Sequence, residues 1–108
     1  MHRGGRIAIY RDDTFHNYKP RLVIFMDYSV YIIYSASLDK YYTGSCQDFG
    51  IRLLQHNSGR NKSTKGGIPW VLKYEEKYRT NQEARKRESA IKKMKSKKYI
   101  QQLVSSVG

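Results

Sequence analysis

Cysteine is nearly absent: Cys46 stands alone among 108 residues. That excludes an internal disulfide and a thiolate metal cluster, and it suits a reducing compartment, so a cytoplasmic protein is expected. Long apolar runs are missing too. Nothing approaches the roughly 20 residues of a membrane span, and Leu22 to Met26 is too short for a signal-peptide core, so neither a span nor an export signal is expected. Acidic residues are few, with 9 Asp and Glu against 21 Lys and Arg and a formal charge of +12. This surplus points to a polyanionic partner, nucleic acid or an anionic membrane surface, which charge sign alone does not separate. The length allows one domain and no second, there is no internal repeat, and a monomer is assumed.

What is present begins with an ill-patterned stretch. Residues 1–27 mix arginines, aspartates and aromatics, with only two brief apolar runs, Ile7 to Tyr10 and Leu22 to Phe25, and read as an extension of unknown role. Met26 stands just before the patterned region. One reading of the preceding residues is an upstream stretch reached by an alternative start: if it is dispensable, a chain begun at Met26 keeps full activity, and if the early apolar runs pack on the domain, that chain folds less well.

From Val30 to Ser35 almost every residue is β-branched or aromatic, which predicts a strand buried on both faces. A four-residue loop, Ala36 to Asp39, and a second run, Tyr41 to Ser45, complete a β-hairpin; that loop length sets Tyr42 opposite Ile33 and puts Tyr31 on the same face as Tyr42. Asp48 is placed to cap a helix ending near Asn57, where Asn-Ser-Gly offers a left-handed stop. A polar loop, Asn57 to Pro69, follows, made mobile by Gly66 and Gly67, and Trp70 to Tyr78 is a third strand with Val71 and Leu72 apolar. Thr80-Asn81-Gln82-Glu83 is a capping box that starts a helix running to about Lys95, with Ala84, Glu88, Ile91 and Met94 as its inward stripe. Ser96 caps a last short helix carrying Tyr99, Ile100, Leu103 and Val104. The order is β, β, α, β, α, α.

Glu88 is the most informative single residue, because a carboxylate on an inward stripe needs a partner. An ion pair with a neighbouring Lys or Arg is its structural explanation, and ligation of a hard divalent cation the functional one. Arg52 and His56, one turn apart on the first helix, have structural explanations too: an arginine lying over Phe49 and a hydrogen-bonded histidine at a helix end. Tyr31 and Tyr42 are two of ten tyrosines, and the basic residues of the second half read first as a solvated face.

Order and spacing change that balance. Ser29-Val30-Tyr31, then Tyr42-Thr43-Gly44 about ten residues on, then Arg52, His56 and a helix-borne Glu88 resemble the motif series of the GIY-YIG nuclease family. The resemblance covers about Asp27 to Leu103. The surrounding text, LDKYYTGS, RLLQHNSG and PWVLKYEE, is similar to small stand-alone bacterial members, in which the first glycine is likewise replaced.

The resemblance implies an α/β (α+β) fold, a small three-stranded antiparallel sheet flanked by three helices, with residues 28–104 as the domain and 105–108 as a tail. It also implies phosphodiester hydrolysis of DNA assisted by one divalent ion, Mg2+ or Mn2+, held by Glu88. On that reading Arg52 donates to the non-bridging phosphate oxygens, and Tyr31 is the candidate general base with Tyr42 positioning water or sharing the proton. His56 is an alternative relay. An ordinary phenol titrates near pKa 10, so Arg52, His56 and the ion are expected to lower Tyr31.

Between residues 60 and 98, fourteen Lys and Arg face four Glu, a surface that grips phosphates with little base readout. Lys62, Lys65, Arg85, Lys86, Lys92 and Lys93 are the expected backbone contacts, with Trp70 available to stack on a base or, alternatively, to pack at its strand's start. The expected substrates are branched, nicked or damaged DNA, in repair, recombination or mobile-element settings. Two other functions stay open: a non-catalytic basic nucleic-acid-binding module that keeps the fold, and RNA in place of DNA as substrate.

Overall fold

The computed structural model describes residues 6–10 and 21–106. Its centre is strand β3, numbered in chain order after β1 (Arg6–Tyr10) and β2 (Arg21–Phe25). β3 spans Tyr28–Ser35 and pairs antiparallel with β4 (Lys40–Gln47) on one side and β5 (Trp70–Tyr78) on the other, giving the order β4-β3-β5. Its β-branched and aromatic run is buried on both faces, as its composition requires: Val30, Tyr31, Ile32 and Ile33 are all at 1% exposure or less. Three helices complete the β-β-α-β-α-α order: α1 (Phe49–Asn57), α2 (Asn81–Met94) and α3 (Lys97–Ser105).

Because side chains alternate along a strand, the two faces of β3 build two separate cores. Tyr31 and Ile33 join Cys46 and Trp70 on the side covered by α1, where Phe49 and Leu53 pack. Val30 joins Ala84 and Ile91 on the side covered by α2, and Tyr99, Ile100 and Leu103 of α3 close over it.

Local signals set the helix ends. Asp48 accepts from the Ile51 N–H at 3.3 Å, and Gly59 supplies the left-handed residue after α1 with φ 84°. Thr80 Oγ1 accepts from the Glu83 N–H, and the Glu83 carboxylate accepts from the Thr80 N–H, so the capping box is complete. Ser96 Oγ accepts from the Tyr99 N–H and starts α3.

Four observations depart from the sequence reading or go beyond it. Met94, placed on the inward stripe of α2, is 51% exposed: α2 stops there, Lys95 turns into the left-handed region, and α3 supplies the packing around Ile91 instead. Val71 and Leu72 are also exposed, since β5 is an edge strand whose first residue, Trp70, does the burying. The loop after α1 is anchored. Asn57 Nδ2 donates to the Trp70 carbonyl and Asn57 Oδ1 accepts from the Trp70 N–H, while Trp70 Nε1 donates to the Thr64 carbonyl at 2.7 Å. Gly67 serves that packing, for a Cβ there would stand 2.4 Å from the Trp70 ring. Finally, two runs within residues 1–27 pair as an antiparallel hairpin, Arg6 opposite Phe25 through Tyr10 opposite Arg21; Met1 to Gly5 and residues 11–20 lie outside the described residues.

Candidate active site

Register places the first two candidates. The loop Ala36 to Asp39 pairs Ser35 with Lys40 and Ile33 with Tyr42, so Tyr31 and Tyr42 share the α1 face with ring centroids 6.4 Å apart. Tyr31 lies across Gly44, where a Cβ would stand 2.5 Å from Tyr31 Oη and 2.7 Å from its Cζ. The second triplet therefore ends in glycine because the tyrosine of the first occupies the space.

Helix α1 delivers the next two. His56, fully buried at the last turn, sets Nε2 2.9 Å from Tyr31 Oη and Nδ1 2.8 Å from Thr64 Oγ1. The Tyr42 ring meets His56 edge-on at 5.2 Å between centroids, and Phe49 packs 4.8 Å from Tyr31. One turn before His56, Arg52 stands beside the Tyr31 phenol, near enough for its guanidinium to favour the ionised oxygen. Thr64 Oγ1 donates to the Asn61 carbonyl at 3.5 Å, so it accepts from His56 Nδ1–H, and Nε2 is left to accept from the Tyr31 hydroxyl.

The electrostatics follow from burial. Desolvation pushes the Tyr31 phenol well above its ordinary 10, and the nearby Arg52 guanidinium only partly offsets it. The expectation that its neighbours lower Tyr31 is thus corrected: this phenol holds its proton at rest. Burial, and then the charge of Arg52, push His56 below its ordinary 6.5, so the imidazole is neutral at pH 7 and its Nε2 is free to accept. Burial also pushes the Cys46 thiol up to about 11, against the pull of Arg52, which keeps it from acting as a thiolate. Outside the buried cluster Arg52 lines a cleft of about 480 Å³ with Gln55, Arg60, Asn61 and Lys62.

Glu88 arrives from the other side. Ser45 follows Gly44 and faces α2, and its Oγ donates to Glu88 Oε1 at 2.5 Å, while Glu88 Oε2 lies 2.7 Å from Lys92 Nζ. Since β4 is an edge strand, α2 reaches around it, and the Lys92 ammonium stands 5.9 Å from the Tyr42 ring centroid. Tyr31, Tyr42, Arg52 and His56 thus form one cluster, and Glu88 meets its rim at the open edge of the sheet through Ser45 and Lys92. The ion pair named as the structural explanation for Glu88 is present.

The donor set at Glu88 suits a hard cation: a carboxylate and a hydroxyl, all oxygen, already hold one positive charge. Among the described residues no three His, Cys, Asp or Glu converge. An ion held by Glu88 would complete its shell with water and substrate phosphate, which is how magnesium is commonly bound.

The remaining candidates separate by exposure. Lys62, Lys65, Arg85, Lys86, Lys92 and Lys93 are exposed. Trp70 is 5% exposed with its indole N–H committed to Thr64, so packing, and not base stacking, is its role. Sequence reasoning missed Thr64 and Ser45. A buried histidine needs a partner for each nitrogen, which signals that something like Thr64 must exist without saying which hydroxyl it is.

With this geometry the chain belongs to the GIY-YIG catalytic domain family, whose family model matches residues 27–100. That class implies nuclease chemistry and nucleic-acid binding. Among known proteins the chain is similar to UPF0213 proteins from two strains of Staphylococcus epidermidis, each 46% identical over 52 residues, covering 47% of this chain and 63% of the relative. The chain thus spans less than two thirds of the length of those relatives. No solved structure matches it. Among the described residues no helix is long and apolar enough to cross a membrane.

Proposed function

We propose that this protein is a divalent-metal-dependent DNA endonuclease that hydrolyses phosphodiester bonds in branched, nicked or damaged DNA. The observation that carries the reading is the hydrogen-bonded line from Tyr31 through His56 to Thr64, with the Arg52 guanidinium beside the phenol, bordered by a basic cleft and by a carboxylate at the sheet edge.

In the reaction, a scissile phosphate docks against Arg52, whose guanidinium donates to the non-bridging oxygens as charge builds on phosphorus. Water loses a proton to Tyr31 while Tyr31 passes its own to neutral His56 Nε2, so no free phenolate has to persist in a buried place. Thr64 keeps His56 in the accepting tautomer, and Tyr42 orients the water. Glu88 and Ser45 would hold the ion. Magnesium or manganese, when bound, supplies Lewis-acid stabilisation of the leaving 3′ oxygen. Lys62, Lys65, Arg85, Lys86 and Lys93 hold the backbone without reading bases, so affinity falls steeply with salt.

The test is a cleavage assay with Mg2+ and Mn2+ across duplex, single-stranded, nicked and branched DNA and matched RNA. Cleavage of at least one DNA is expected, with Arg52→Ala losing turnover but keeping most affinity. No cleavage with either ion, together with identical behaviour of Glu88→Ala, refutes the enzyme reading. The Lys92–Glu88 ion pair is the observation that favours a second reading, a non-catalytic basic nucleic-acid-binding module; salt-sensitive binding without metal-dependent turnover is its mark.

A further inference from the structure

Glu88 and Lys92 stand one turn apart on α2, a spacing that ordinarily yields a loose surface pair. Here the pair is held at both ends. Ser45 on the edge strand fixes one oxygen of Glu88, and the Lys92 ammonium, 2.7 Å from the other oxygen, faces the Tyr42 ring. Carboxylate and aromatic face together form a cation site, and the chain fills it with its own cation. Lys92 also borders a cleft of about 370 Å³ with Tyr41, Tyr42, Lys95 and Lys97. Its flexible stem therefore has open space on the side of Tyr41 and Tyr42 into which the ammonium can withdraw.

We infer that Lys92 is a resident counter-ion that competes with a divalent cation for Glu88, so that metal enters only as the ammonium leaves. This rests on the proposal that Glu88 is the ion's ligand. The ammonium and the ion need the same carboxylate oxygen, and two positive charges at one oxygen repel; occupancy by one lowers affinity for the other. A solvated surface pair with no such role would leave metal affinity unmoved when Lys92 is replaced.

The experiment is Mn2+ binding to the full chain without nucleic acid, followed by loss of the free-ion EPR signal, for wild type, Lys92→Met, Lys92→Arg and Glu88→Gln. Thermal melts check that each variant is folded; Lys92 is half exposed, and Met keeps its length. Lys92→Met is expected to bind Mn2+ about fivefold tighter than wild type, the fold-change that corresponds to the upper range of an exposed ion pair. Lys92→Arg, which keeps the charge, should stay near wild type, and Glu88→Gln should lose binding. If Lys92→Met equals wild type, or fails to bind Mn2+, while Glu88→Gln abolishes whatever binding wild type has, the inference on Lys92 falls and the role of Glu88 stands. Equal tightening by Lys92→Arg also overturns it, because charge is then not what competes. Glu88→Gln binding like wild type removes the ion from Glu88 altogether, and the inference falls with that reading.

Discussion

Replacing Gly44 by alanine tests whether the two tyrosine triplets are parts of one packed unit. The new Cβ would stand 2.5 Å from Tyr31 Oη and 2.7 Å from Cζ, and Tyr31 is buried with its hydroxyl engaged by His56, so the ring has no free direction in which to retreat. Gly44 does not need a left-handed backbone; among the described glycines only Gly59 has positive φ, so the cost is steric and not conformational. Overpacking of this kind costs about 1–3 kcal/mol. Tyr31→Phe alone leaves the buried Nε2 of His56 without its partner, again about 1–3 kcal/mol. In the double variant the oxygen that suffers the closest contact is gone while the Cζ contact remains, so relief is partial. The two costs should fall short of their sum by about 1 kcal/mol. Urea denaturation of the four proteins, with unchanged m, reads this coupling. Costs that add to within about 0.3–0.5 kcal/mol would show that the hydroxyl does not lie over Gly44 and would refute the reasoning.

Two further outcomes follow from the charges. His56 has a folded-state pKa below its ordinary 6.5, so its contribution to stability is fully present above that value and is lost as pH falls through the depressed one; Arg52→Gln removes a positive neighbour and should raise the His56 pKa, measured by NMR titration of the imidazole. Glu76 receives Arg87 through Nε at 2.9 Å together with the hydroxyls of Tyr74 and Tyr78; burial alone would raise it, yet these donors hold it below the usual carboxylate range. Its stabilisation is therefore present above the ordinary carboxylate pKa and lost as pH falls through the lowered one. Arg87→Ala should cost about 1–3 kcal/mol at pH 7 and flatten the acid limb of stability, measured by denaturation across pH.

Much of the sheet and most helix ends were legible because they rest on local chemistry. The β-branched run of β3, the loop of four before Lys40 and the capping box at Thr80 each act within a few residues, and each does in the structure what its composition implies. Met94 and the loop before Trp70 were misread for the opposite reason: whether a side chain is covered, or a glycine pinned, depends on what α3 and Trp70 bring from elsewhere. The hydroxyls of Thr64 and Ser45 carried no signal, since serine and threonine in polar surroundings look alike until a buried partner selects one.

The sequence by itself determined the element order, the pairing of Tyr42 with Ile33 and the spacing that set Tyr31, Tyr42, Arg52, His56 and Glu88 in one motif series, because strand alternation and helix period are local rules. Only the tertiary structure decided that Tyr31 is buried and keeps its proton, that His56 is neutral with its hydrogen toward Thr64, and that Glu88 reaches the cluster around an edge strand with Lys92 already upon it. Desolvation and the placing of donors are sums over the whole neighbourhood, and a neighbourhood exists only once distant segments have packed.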